Sequence, residues 1–434
     1  MERKWWTLLA VCLATFMLLL DITIVNVALP DIAAELDASF SDVQWVIDAY
    51  ALLLAALLLT AGSLADLLGR RRVFAVGLLC FTIASLLCAI APSATALILA
   101  RGAQGIGGAA MFATSLALLA QEFHGPERGT AFGLWGATTG AAVAIGPLVG
   151  GALTDALGWP SIFYLNLPIG IATLAITLRK LPESRDERAG AIDWAGLLTF
   201  SAALLLLVYG LIEGNARGWG DGLIVALFMT AALLLALFVA VERRSAHPMF
   251  DLSLFRNHTF SGSSIAAFAL SASMFSMFLY LTLYLQTILG YDPLETGLRF
   301  LPVTALSFVA ATVSGKLTAR LPARGLLGGG LVLVGLGLLL MRGVDAGSDW
   351  TALLPGFVVA GIGIGTINPS IANTAIGVVA PARAGMASGI SSTFRQVGIA
   401  TGIAGLGAVF QSQVSDRLGT ALANSAGGAH AGEL

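Results

Sequence analysis

Gly62-Ser63-Leu64-Ala65-Asp66-Leu67-Leu68-Gly69-Arg70-Arg71-Arg72 is a polar knot between two long apolar runs. Upstream, residues 46–64 carry a single charge, Asp48; downstream, residues 73–90 carry none. Each run has the roughly 17–25 residues that a bilayer-crossing helix needs, so the knot reads as a short hinge between two membrane spans. Three consecutive arginines in so short a loop set its side, because short loops rich in Lys and Arg stay cytoplasmic. Gly62 and Gly69 allow close helix approach and positive φ, and Asp66 is placed to cap a helix or to pair with an arginine among Arg70, Arg71 and Arg72.

Composition agrees with this reading. The chain is 57% hydrophobic and only 11% charged, against about 25% charged residues in an average soluble domain. It is therefore expected to be an all-α, polytopic membrane protein. Cys12, Cys80 and Cys88 lie inside apolar runs, where a free cysteine acts as a small hydrophobe, so neither a disulfide framework nor a metal site is implied. The opening Met-Glu-Arg-Lys and the apolar stretch after it lack an Ala-x-Ala cleavage site and precede many further spans, so it reads as a first helix and not a signal peptide.

Hydropathy marks thirteen candidate spans, at about 6–29, 43–64, 72–91, 95–120, 129–157, 161–178, 193–213, 222–241, 259–289, 295–319, 325–342, 351–379 and 385–411. With a cytoplasmic N-terminus, most of the 23 Lys and Arg fall in cytoplasmic loops, as alternating topology requires. An internal repeat supports two related halves: Thr95-Ala96-Leu97 recurs as Thr351-Ala352-Leu353, Gly105-Ile106-Gly107 as Gly361-Ile362-Gly363, and Gly129, Ala131, Gly133 as Gly385, Ala387, Gly389, all at one offset of 256 residues. The basic knot has a degenerate echo starting at Gly315 and ending at Arg324. Two such halves are a transporter plan, with substrate bound between them near the midplane. The expected division is a six-helix bundle over 1–180, a link with two inserted helices over 181–256, a second bundle over 257–411 with five helices, and a flexible tail over 412–434. A 6 + 2 + 6 plan has fourteen spans, so the last one reads as absent.

Ionisable residues within spans are functional candidates, since each is costly in hydrocarbon unless paired or hydrated. Asp21, Asp48 and Arg101 lie at depths that agree to within about one helical turn, which makes a shared polar site possible. A solvated interfacial Asp48 and a purely structural Arg101 are the plainer alternatives. Such a carboxylate and guanidinium suit proton coupling, because small rearrangements of the pair change its affinity for a proton. In the second half, Tyr280, Tyr284 and Gln286 put aromatic and polar groups on the ninth span, while Asn368 and Arg395 lie near mid-span. Together with Asn26 and Gln104 they are the candidates for a substrate cavity, though packing against lipid or neighbouring helices is an equal alternative for the ninth-span set. Ser/His/Asp clusters, metal-ligand spacings and a Gly-x-x-x-x-Gly-Lys loop are missing, so an enzyme, a metalloprotein or a nucleotide-driven pump is not expected.

Gly-x-Leu-Ala-Asp-x-x-Gly-Arg-Arg resembles the signature loop between helices 2 and 3 of the major facilitator superfamily. Leu20-Asp21-Ile-Thr-Ile-Val-Asn26-Val-Ala-Leu-Pro30 resembles the first-helix motif of its fourteen-helix drug:proton antiporters. Leu97-x-x-x-Arg101-Gly-x-Gln104-Gly105-x-Gly107-Gly108-Ala109 resembles their fourth-helix motif, whose arginine the family is taken to use in proton transfer. Gly146-Pro147-Leu-Val-Gly150-Gly151 is similar to the fifth-helix antiporter motif, and Phe-Arg395-Gln396-Val-Gly398 to part of the penultimate helix. The resemblance implies a proton-coupled exporter of amphipathic, often cationic or aromatic compounds in the bacterial cytoplasmic membrane, its N-terminus cytoplasmic. Its implied partners are protons, an amphipathic small molecule and membrane lipids, with no cofactor and no nucleic acid; the oligomeric state stays open. The alternatives are an exporter dedicated to one metabolite, antibiotic, amino acid or lipid, and a non-transporting receptor or scaffold on the same fold.

Overall fold

A computed structural model describes residues 2–185, 193–245, 250–318, 320–345, 347–380 and 383–423. Every long apolar run has become a helix, as hydrocarbon demands when it offers backbone groups no other partner. The first seven helices are α1 (Arg3–Glu35), α2 (Phe40–Leu68), α3 (Arg70–Ala89), α4 (Ala94–Glu122), α5 (Gly125–Leu157), α6 (Pro160–Tyr164) and α7 (Asn166–Lys180). The last two form one span interrupted at Leu165. An inserted pair follows, α8 (Trp194–Arg217) and α9 (Gly222–Glu242), then α10 (His258–Leu283), α11 (Pro293–Leu317), α12 (Ala323–Leu340), α13 (Leu354–Gly377) and α14 (Ala384–Ala423).

Local chemistry sets the breaks between them. Ser39 accepts from the Asp42 amide while the Asp42 carboxylate accepts from the Ser39 amide, a capping box that starts α2. Asp292 and Glu295 repeat the device at the start of α11. Gly69, at φ 112°, both ends α2 and begins α3, the left-handed geometry that a glycine adopts without a Cβ penalty.

Twelve stretches among the described residues are long and apolar enough to cross a bilayer. The other expected span, 129–157, lies on α5, whose 33 residues include side chains at 143, 144 and 147 outside the described set. Within the stretch expected as a tail, α14 runs helically past 411 as far as Ala423. Gln411 to Ala423 contains no proline and several good helix formers, so the backbone has no reason to stop where its hydrophobicity fades. Residues 424–434 lie outside the description.

The halves α1–α7 and α10–α14 meet along two lines, α5 beside α11 and α2 beside α14, and α8 and α9 pack on each other with α8 against α2 and α14. Glycines allow both crossings at the end carrying Arg70–Arg72. Gly129 and Gly133 sit on Gly315, and Gly62 sits on Gly385 and Gly389; a Cβ at Gly133 would lie 3.0 Å from the Ala311 carbonyl oxygen, and one at Gly389 3.0 Å from that of Leu58. The pairs are equivalents in the repeat: Gly62 corresponds to Gly315 of the echoed knot, and Gly129 to Gly385. One sequence repeat thus makes both halves of one two-fold closure.

Candidate functional site

The first polar site lies inside the N-terminal bundle. Asp21 on α1 and Arg101 on α4 form an ion pair, 0% and 1% exposed. The Arg101 Nη1 also donates to Gln104 Oε1 at 2.7 Å, and Nε donates to the Val46 carbonyl of α2 at 3.0 Å. The other Asp21 oxygen, Oδ1, accepts from Asn166 Nδ2 at 2.8 Å and Gln104 Nε2 at 3.3 Å. Ser85 of α3 closes the ring: its Oγ accepts from Gln104 Nε2 at 2.7 Å and from Asn166 Nδ2 at 3.3 Å, and donates to the Phe81 carbonyl. Tyr50 of α2 covers the guanidinium, its ring centroid 4.4 Å from the Arg101 Cζ. A buried carboxylate is here held by one cation and two amides, in a network whose members come from α1, α2, α3, α4 and α7.

Depth in the sequence pointed to Asp21 and Arg101, and it also pointed to Asp48, which the structure does not bring in. Asp48 is half-buried, bonds with Gln44 and looks toward Glu213 of α8. Successive helical residues turn by about 100°, so Val46 and Tyr50 face Arg101 while Asp48 between them faces away. Ser85 and Asn166 were missed. Each is a hydrogen-bonding side chain in an apolar run, the signal that would have found them.

The second site is a narrow pocket between the halves. Thr139 and Gly140 of α5 form one wall, Met274 and Phe278 of α10 another, and Thr304, Ser307 and Asn368 add polar groups from α11 and α13. Asn368 Oδ1 accepts from Arg395 Nη1 of α14 at 2.8 Å. Of the residues expected in a substrate cavity, Asn368 lines this one and Arg395 stands behind it. The others are elsewhere. Gln104 belongs to the buried cluster, and Asn26 is exposed and donates to the Ile22 carbonyl of its own helix at 3.4 Å. The Tyr280 hydroxyl reaches the Ile403 carbonyl at 3.4 Å, and that of Tyr284 reaches the Asp345 carbonyl at 2.8 Å. Gln286 is half-buried in the π-helical turn Tyr284–Ile288 that follows α10. Met274 and Phe278 are one turn apart and share a face; Tyr280, two residues on, is on the far side.

At the basic end, Asp66 bridges the halves. Arg70 Nε and Nη2 donate to its Oδ1 at 2.9 and 2.7 Å, and the Gly385 and Met386 amides at the start of α14 donate to its two oxygens at 2.9 and 2.8 Å. Arg71 donates to the Leu178 carbonyl at 2.7 Å, and Arg72 approaches Glu183 at 3.6 Å, so the knot also grips the segment leaving α7. Gly62 and Gly69 sit as described above, against α14 and at the α2–α3 break. In the fifth-helix motif, a Cβ at Gly146 would run into the Thr23 side chain, and one at Gly150 would come within 2.9 Å of Ile24 Cγ1. Both glycines therefore seat α5 on α1. Gly151 has open space beside it, and the Pro147 side chain lies outside the described residues.

Residues 11–403 match the family described as Major Facilitator Superfamily. The chain is 40% identical over 413 residues to the multidrug resistance protein Stp of Mycobacterium tuberculosis, spanning 95% of this chain and 77% of the relative. It is 38% identical to the puromycin resistance protein pur8 of Streptomyces alboniger, over 94% of this chain and 82% of the relative. It is 33% identical to the multidrug efflux pump LfrA of Mycolicibacterium smegmatis, over 94% and 81%. The structure of the human organic anion transporter MFSD10 superposes with a TM-score of 0.70 over 94% of each chain at 16% identity, a likeness of fold.

Proposed function

The chain belongs to the Major Facilitator Superfamily, and we propose that it exports amphipathic small molecules from a bacterial cytoplasm in exchange for protons. It is a multi-pass membrane protein whose relatives are multidrug and antibiotic resistance proteins. The basic knot supports a cytoplasmic placement of its end of the molecule and of the N-terminus. The glycine crossings and Asp66 then close the cytoplasmic side, and the pocket between α5, α10, α11 and α13 is the candidate space for solute. Alternating access follows if the halves rock about that pocket.

The observation that carries proton coupling is the buried Asp21–Arg101 pair with its amide ring. Protonation of Asp21 removes the charge that holds Arg101, and the guanidinium then turns toward its remaining acceptors, Gln104 Oε1 and the Val46 carbonyl. Because Asp21 is on α1 and α5 is seated on α1 through Gly146 and Gly150, the change reaches the helix that lines the cavity. Asp66 and the arginines of the knot act as the cytoplasmic latch. The test is transport in proteoliposomes under an imposed pH gradient, following an aromatic dye and internal pH together. Dye movement opposed to proton movement and lost in Asp21→Asn is the expected result. Dye movement that ignores the pH gradient, or that persists unchanged in Asp21→Asn, would remove Asp21 from the coupling role.

A further inference from the structure

Arg395 is the charge that the coupling site does not use. It is only 7% exposed, near the middle of the bundle. One nitrogen, Nη1, donates to Asn368, while Nε and Nη2 have no protein partner. The face of Trp135 lies 5.8 Å from its Cζ. A buried cation left with unfilled donors is costly, and among the described residues no carboxylate forms an ion pair with it. Asp and Glu are absent from α10, from α13 and from α14 before Asp416. In the N-terminal half the buried Asp21 and Arg101 neutralise each other. The cavity wall itself, from Thr139 to Asn368, holds no ionisable group. An uncompensated positive charge therefore stands one residue behind that wall, in surroundings that screen it poorly.

We infer that the cavity takes aromatic organic anions, whose carboxylate or phenolate is held by Arg395 and Asn368, and that lipophilic cations are disfavoured there. This rests on the exporter reading above and narrows its substrate class. A carboxylate is a stronger acceptor than the Asn368 amide, so it displaces Oδ1 and fills the free nitrogens, and the Asn368 amide turns to donate to it. Phe278, Met274 and Ile364 supply the apolar surface for the ring system, and Thr304 and Ser307 supply hydroxyls.

The test is equilibrium binding to purified protein in detergent, read by the fluorescence anisotropy of fluorescein as the anionic probe and ethidium as the cationic one. Fluorescein is expected to bind about tenfold more tightly than ethidium, and Arg395→Gln to weaken it by about the same factor, with Arg395→Lys intermediate. Asn368→Asp, nearly isosteric, places an acid on Arg395 and is expected to reverse the preference. Equal or tighter binding of ethidium by the unaltered protein overturns the inference. So does fluorescein binding that neither Arg395→Gln nor Asn368→Asp changes, and so does the failure of both probes to bind. Fluorescein bound through Arg395 but never moved by a pH gradient would leave this inference standing and sink the exporter reading; ethidium pumped in preference to fluorescein would do the reverse.

Discussion

Asp21 has two oxygens with different duties, one on Arg101 and one on Asn166 and Gln104, and that division lets substitutions separate charge from packing. Asp21→Asn keeps the size but leaves Arg101 as a buried, unpaired cation, at a cost of about 3–5 kcal/mol. Thermal unfolding in detergent is expected to fall sharply, and adding Arg101→Gln to the same chain to restore much of it, since no naked charge remains. Recovery of stability without recovery of pH-driven export would mark the pair as functional. Recovery of both would make it only structural. Asn166→Ala removes one donor from a carboxylate that keeps its cation, and should cost about 1–3 kcal/mol while leaving export dependent on pH. These residues also show what sequence reading resolves. Asp21, Arg101 and Gln104 were legible as polar groups at similar depth in apolar runs, but depth does not give the helical face. That is why Asp48 was grouped with them and faces α8, and why Tyr280 and Tyr284 were placed in a cavity that they turn away from.

At the scale of elements, α2 and α14 are joined by a contact with almost no tolerance. Gly62 meets the backbone of Gly385 and Gly389, and Asp66 reaches over to the first amides of α14. Asp66→Asn exchanges one acceptor oxygen for an amine that faces backbone N–H groups, so one of the two bonds to α14 is lost and the remaining donors oppose each other. The expected outcome is faster hydrogen exchange at the start of α14 together with loss of export, while the Asp21 cluster keeps its protection. Unchanged exchange at Gly385 and Met386 would show that Asp66 does not hold the latch. Gly62→Val should be worse, because a side chain there meets backbone that has no rotamer to yield, with an overpacking cost of about 1–3 kcal/mol or more. The knot's glycines, acid and arginines were all readable in the sequence, and so was the repeat. The partner of Asp66 was not. Nothing local to residues 62–72 states that the matching surface is the start of α14; only the equivalence of Gly129 with Gly385 and of Gly62 with Gly315 hints at a crossing built twice.

The whole molecule is two bundles closed at the basic end by glycine crossings, with a pocket between them lined from α5, α10, α11 and α13. A closed seam and a pocket predict opposite responses to the same kind of substitution. A Cβ at Gly140 has only the Ser307 hydroxyl near it, at 3.6 Å, so Gly140→Leu extends into the cavity instead of into backbone. Export should then fall by an order of magnitude or more, because the space for solute is filled, while the unfolding temperature holds or rises; an apolar side chain gains about 1.5–3 kcal/mol from burial. The cavity's exit is read separately. Ser307→Cys, compared with the parent and its three cysteines, should react with a membrane-impermeant thiol reagent in right-side-out vesicles and stay protected in inverted ones. Labelling confined to inverted vesicles would place the open side at the basic loops and contradict the topology. A Gly140→Leu chain that is stable, labelled as expected at the outer side and still exporting at the parental rate would mean that solute passes by another path, and the cavity between α5, α10, α11 and α13 would lose its role.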